Sequence, residues 1–217
     1  MKIVWLRISL VIFCATQFIG GAFAQSRTVT TEANEPAVQT VAMTDLQPFL
    51  NKIPAGRETE YGFRNREEFL RASVETPVQV FTINPDSMRN GIDPKGNYLI
   101  PLYEWRVPVV VDGEFRSLIT VSMVNNTLKT VELGGESLAK EMMIFWGNEH
   151  AGCQALLRLY QLQCDFWILD RYGLGLEHGE FYPFRSARLV FSGLSCSTAH
   201  PCFRAEIYPQ IKRKFEE

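Results

Sequence analysis

Glu177-His178-Gly179-Glu180 is the densest run of ionisable side chains in the sequence, and it closes the glycine-rich stretch Asp170 to Gly179, DRYGLGLEHG. Carboxylates beside an imidazole can raise its pKa, exchange protons with it, or bind a divalent cation. The same residues also suit a solvated surface loop. A hydrolase or metal-dependent enzyme built on Glu177, His178 and Glu180 would need further groups from distant positions. Arg158, Asp165 and Asp170 are candidates for such a pocket, or for ordinary ion pairs that need no functional account.

Cysteines are the other reactive set. Cys14 falls in an apolar N-terminal leader, which leaves Cys153, Cys164, Cys196 and Cys202. An even count in an exported chain reads first as two disulfides, with three possible connectivities. Cys196–Cys202 would close the short loop Ser197 to Pro201, and Cys153–Cys164 would pin a helix exit to the next strand. The crossed pairings stay open. A zinc site with His150, His178 or His200 is the sharper alternative, but neither cysteine pair has the spacing of a tight two-ligand knuckle, so no metal is expected. His150 and Cys153 (HAGC) are close in sequence, whereas catalytic Cys–His pairs usually meet through the fold.

Among the aromatics, Trp105 and Trp146 lie on apolar stripes and read as core. Trp167 alternates with Phe166, so it is expected to face outward. With Tyr172 and Phe181 nearby in sequence it would then mark a contact surface.

These residues must be placed by the rest of the chain. Lys2 and Arg7, the apolar run Ile8 to Ile19 and the A-x-A site Ala22-Phe23-Ala24 have the form of a secretory signal peptide over 1–24. No later segment is long and apolar enough to span a bilayer, so a secreted or periplasmic address is expected. Without Lys2 and Arg7 the 22 basic residues fall to 20 against 24 acidic ones, a formal charge of −4. That balance excludes a nucleic-acid footprint. Residues 25–44 lack periodicity and read as a flexible segment. Residues 45–217 then suit one α+β domain, an antiparallel meander sheet packed against one or two helices, large enough to bury roughly 70% of its unfolded surface.

The centre of that domain is Leu99 to Trp146. Tyr103, Trp105, Val107, Val109 and Val111 recur with period two, and so do Phe115, Ile119, Val121 and Met123. A two-residue turn at Asp112-Gly113 would set odd residues against even ones and put the two apolar sets on opposite faces. The parity therefore predicts a three-residue turn, Val111-Asp112-Gly113, with a left-handed Gly113 and a bulge after it. Trp105 would then oppose Ile119, and Tyr103 would oppose Val121. Asn125-Asn126 predicts a second tight turn. A third strand, Thr127 to Leu133, would offer Val131 and Leu133 to the core. Leu138, Ala139, Met142, Phe145 and Trp146 form a helical stripe stopped at Gly147.

Upstream, Leu46 to Asn51 reads as a short helical or extended piece. Asn65 and Glu68 suggest a capped helix running to about Val74, and Val78 to Ile83 a strand. A turn-rich connection follows through Asn90-Gly91 and Asp93-Pro94-Lys95-Gly96. Downstream, alternation from Leu156 to Ile168 predicts a strand bent near Gln163. Phe181 to Val190 and Phe203 to Tyr208 suggest further short elements.

This order over about residues 60 to 133 (helix, strand, long loop, three-strand meander) resembles cystatin-like and PepSY-like secreted modules. The resemblance implies an antiparallel sheet curved around a helix. It carries no function, since no residue motif of either family is present, the Q-x-V-x-G loop of cystatins included. With no nucleophile, acid–base or metal signature and no cofactor motif, the reading is a non-catalytic binding or interaction module for a protein or small ligand.

Overall fold

The computed structural model describes residues 35–89, 98–146 and 153–217. The expected leader, Gly147, His150 and the turns at 90–97 lie outside them. Five helices are present among the described residues: α1 (Glu35–Asn51), α2 (Pro85–Arg89), α3 (Glu136–Met143), α4 (Arg185–Val190) and α5 (Arg204–Glu216). The strands are β1 (Ser73–Val74), β2 (Val78–Ile83), β3 (Leu99–Val111), β4 (Glu114–Val124), β5 (Thr127–Gly134), β6 (Cys153–Leu159), β7 (Cys164–Asp170) and β8 (Glu180–Pro183). They form one mostly antiparallel sheet in the order β5-β4-β3-β2-β6-β7-β8, with β1 paired to β3. The exception is the parallel pair β2–β6. The fold is thus α+β, with more helical cover than the one or two helices expected.

The central meander forms where the sequence places it, but its parity conflict is resolved differently. Asp112 (φ 51°) and Gly113 (φ 80°) make a two-residue left-handed turn, so Val111 opposes Glu114. The extra residue is Arg116: Val110 opposes Phe115, then Val109 opposes Ser117. Odd residues do meet odd ones, one pair further along than expected: Trp105 opposes Val121 and Val107 opposes Ile119. A bulge in the strand repairs parity as well as a longer turn does, and it re-aims one side chain.

The second turn is left-handed at both Asn125 (φ 51°) and Asn126 (φ 60°), as expected. Here too a bulge follows, between Thr130 and Glu132, and it leaves Val131 half exposed rather than in the core.

Residues 35–44 are not flexible; they are the first turns of α1. Its buried residues Val38, Ala42, Leu46 and Leu50 recur every four positions. Two of them are small or β-branched, which hid the stripe. Pro48 sits in the last turn, where it lacks the N–H that would donate to the Thr44 carbonyl, and the helix ends within a turn of it. The Asn65 cap is present, its Oδ1 accepting from the Glu68 N–H at 3.3 Å. The capped segment is a 3₁₀ turn, Arg66–Arg71, and stops short of Val74, which pairs with Val109 in β1. The strand expected to bend at Gln163 reverses there instead. Gln163 adopts φ 49° and β6 and β7 form an antiparallel hairpin.

Helices cover both faces of the sheet. Gln79 lies opposite Trp105 on one side and Ala155 on the other, so these three share a face. On that face α1 packs with Trp105, Val107 and Ile119, while α5 packs with Leu157, Phe166 and Phe181. The opposite face buries Ala139 and Met142 of α3, with Phe145 just beyond it, against Leu118, Leu156 and Trp167. The α3 stripe read from the sequence is this contact. No helix among the described residues is long and apolar enough to cross a membrane.

Candidate functional site

A cleft of about 370 Å³ opens on the α3 face, where the helix runs out beside β7 and β8. Ile144, Phe145, Trp167 and Leu169 supply its apolar wall, Arg171 and Tyr182 its polar rim, and Thr198 and Ala199 its far side. The wall is built by ring packing. Phe145 stacks on Trp167 at 5.8 Å with 12° between planes and lies 5.1 Å from Tyr182 and 5.7 Å from Phe184. Trp167 opposes Tyr182 across the ladder, and Leu169 opposes Glu180.

At the rim, the Glu180 carboxylate accepts from Arg171 Nε (3.3 Å) and Nη2 (3.0 Å) and from the Tyr182 hydroxyl (2.7 Å). Burial, then the bond to Glu180, pushes the Tyr182 phenol up to about 12, so it stays a hydrogen-bond donor at physiological pH. The Glu180 bond likewise raises Arg171. This rim is a fixed, charge-balanced fork.

The far wall belongs to the loop closed by the Cys196–Cys202 disulfide. That loop is bound to the sheet by reciprocal 2.8 Å backbone bonds between Phe181 and Cys202. Inside it, the Ser197 N–H donates to the His200 carbonyl at 2.7 Å.

The sequence-derived cluster is not brought together. Glu177 is buried on the α5 face, accepting from the Leu99 N–H (2.6 Å) and the Tyr208 hydroxyl (2.7 Å). It joins the start of β3 to α5. His178 is exposed at the end of a 3₁₀ turn. Glu180 faces the cleft on the other side of the sheet. Asp165 pairs across the ladder with Arg158 at 3.1 Å, and Asp170 accepts from the N–H groups of Leu174 (3.0 Å) and Gly175 (2.7 Å) to hold its own loop. Among the described residues no group of three or more His, Cys, Asp or Glu is placed to hold a metal ion.

Two expectations are corrected. Trp167 is not an exposed contact residue: it is 1% accessible, because β7 is covered on both faces and every one of its residues is buried. Alternation locates the face a side chain takes, not whether that face is wet. Nor are Cys153 and Cys164 joined to each other. Cys164 opposes Leu159 while Cys153 opposes Asp170, which puts them at opposite ends of one hairpin, roughly 20 Å apart. A disulfide needs Cα atoms within about 7 Å.

Burial pushes the Cys164 thiol up to about 12. It should therefore resist iodoacetamide at about pH 8 until the chain is unfolded. Peptide mass mapping checks this: rapid native labelling at Cys164 would show that β7 is not closed.

Arg171, Tyr182 and Thr198 were not singled out in the sequence. Glu180 and Tyr182 stand two apart in a strand and share a face, a signal that was available; the return of Arg171 to Glu180 depends on the hairpin. Comparison of the chain with known protein families, curated proteins and solved structures finds no match.

Proposed function

We propose that the chain is an exported, non-catalytic binding module that holds a small ligand in the cleft beside α3. The observation that carries this reading is the cleft itself: packed aromatic and aliphatic side chains at its base, with Arg171, Tyr182 and Thr198 among the residues around its opening. Small-molecule sites likewise combine apolar side chains with a few fixed polar groups. The groups that would support hydrolysis are spread over both faces, with Glu177 committed to Leu99 and Tyr208. A preformed wall of packed rings favours binding, since little side-chain entropy is lost when a ligand seats on it.

Native mass spectrometry of the protein purified from its own host tests the reading. One equivalent of an organic molecule, released on denaturation, is expected. Ala199→Trp, at an exposed position of the cleft wall, should fill the opening and remove that adduct without lowering the unfolding midpoint. An adduct of equal abundance in Ala199→Trp, or none in the parent chain, would count against it. Conversion of the released molecule during incubation with fresh protein would favour an enzyme instead.

A further inference from the structure

We infer that β5 is a homodimerisation edge, and that two copies of the chain pair antiparallel through Leu128–Leu133 to continue the sheet. The two ends of the sheet are not alike. At β8 the disulfide loop is already bonded to the strand through Phe181 and Cys202. At β5 the ladder ends: β4 is its one strand neighbour, and no backbone bond to its outer side occurs among the described residues.

The segment Leu128-Lys129-Thr130-Val131-Glu132-Leu133 is self-complementary. A two-fold axis between Thr130 and Val131 sets Lys129 of each copy against Glu132 of the other, and Leu128 against Leu133. Such a pairing requires opposed residues to share a face, which a regular strand forbids for residues three or five apart. The bulge at Val131 removes that bar. Leu128 opposes Met123 and Leu133 opposes Ile119, so both leucines lie on the α1 face; Lys129 opposes Ser122 and Glu132 opposes Thr120, so both charges lie on the other. Bulges often keep sheet edges apart; this one aligns chemistry that would otherwise be out of phase.

The apolar half of the interface also has a seat. Beside Leu133, a groove of about 210 Å³ lies between β5 and the end of α1, lined by Phe49, Ile53 and Tyr61, with Lys52 and Glu132 also at its wall. In the paired arrangement, Leu128 of the second copy points toward it. Val131, 48% accessible, comes to lie at the axis. Opposite charges facing across an antiparallel pair favour it, and like charges oppose it. A second copy is therefore the occupant the edge specifies.

Sedimentation velocity over a concentration series, on the chain as its host processes it, tests this. A monomer–dimer equilibrium is expected. Lys129→Glu and Glu132→Lys each set like charges opposite one another twice, and each should weaken dimerisation at least about tenfold. Mixed in equal amounts, the two variants restore both opposite-charge pairs, and the mixture should dimerise like the parent. A monomer at every concentration, a dimer indifferent to either variant, or a mixture that stays monomeric would each overturn the inference. Within one chain Glu132 also pairs with Arg106 Nη1 at 3.4 Å; if Glu132→Lys fails to fold beside that guanidinium, Val131→Cys replaces it. That variant should cross-link to a covalent dimer under mild oxidation, and Lys129→Glu should suppress the cross-link; a cross-link indifferent to Lys129→Glu, or none, would overturn it.

Discussion

Trp167→Ala should lower the stability of the chain by about 3–5 kcal/mol, among the largest losses any single truncation here can cause. The ring is 1% accessible and packs against Phe145 and Phe184, with Tyr182 opposite it in the ladder. Removing it leaves a void between α3 and the sheet that the surrounding rings cannot close, since they hold one another in place. Urea titration gives the number directly. A chain of this size should also melt roughly 10 °C lower. Trp167→Phe should recover about half of the loss. A cost below about 1 kcal/mol for the alanine variant would mean that the surrounding rings do close over the void.

The second large effect concerns a charge pair. Arg116 and Glu68 are both almost wholly buried, with Nη2 3.3 Å from the carboxylate. Glu68 also accepts from the Arg64 N–H at 2.8 Å, and Arg116 Nη1 lies 2.7 Å from Glu114. Arg116→Met leaves the buried Glu68 carboxylate to the Arg64 N–H and to the solvent-exposed Arg64 guanidinium, whose Nε lies 3.9 Å away. The expected cost is about 3 kcal/mol, because a buried charge that loses its buried partner is expensive. Arg116→Met with Glu68→Met removes both charges and should recover most of it, since the pair itself adds little beyond offsetting its own desolvation. A double-mutant cycle by urea denaturation measures the coupling. Additive losses would show that the two side chains do not depend on each other.

Arg116 also shows where reading the sequence succeeds and where it stops. Alternation located β3, β4 and the mismatch of phase between them, and it required one extra residue near the first turn. It could not say which. A longer turn and a bulge satisfy parity equally, and only the bulge carries Arg116 inward to Glu68, a partner from a distant 3₁₀ turn.

The same limit applies at the candidate site. Glu177 and Glu180 are neighbours in sequence, yet one short turn and one strand start send them to opposite faces. Arg171, by contrast, is far from Glu180 in sequence and adjacent to it across the hairpin. The outward reading of Trp167 failed because it assumed a sheet with one wet face. The α1 stripe was missed because Ala42 and Val38 look weak when counted alone.

The one parallel pairing, β2 with β6, has a consequence for how the chain becomes folded at all. A polypeptide that emerges from its N-terminus completes β2, β3, β4 and β5 early, because each of β3, β4 and β5 pairs with the strand just made. The free side of β2 must then wait until Leu156 arrives to meet Val80. During that interval Val80, Phe81 and Ile83, later among the best-covered residues, stand on an open apolar edge. Long-range pairings of this kind form late and leave intermediates prone to sticking. The arrival of β6 is the step that closes this edge and buries its apolar residues.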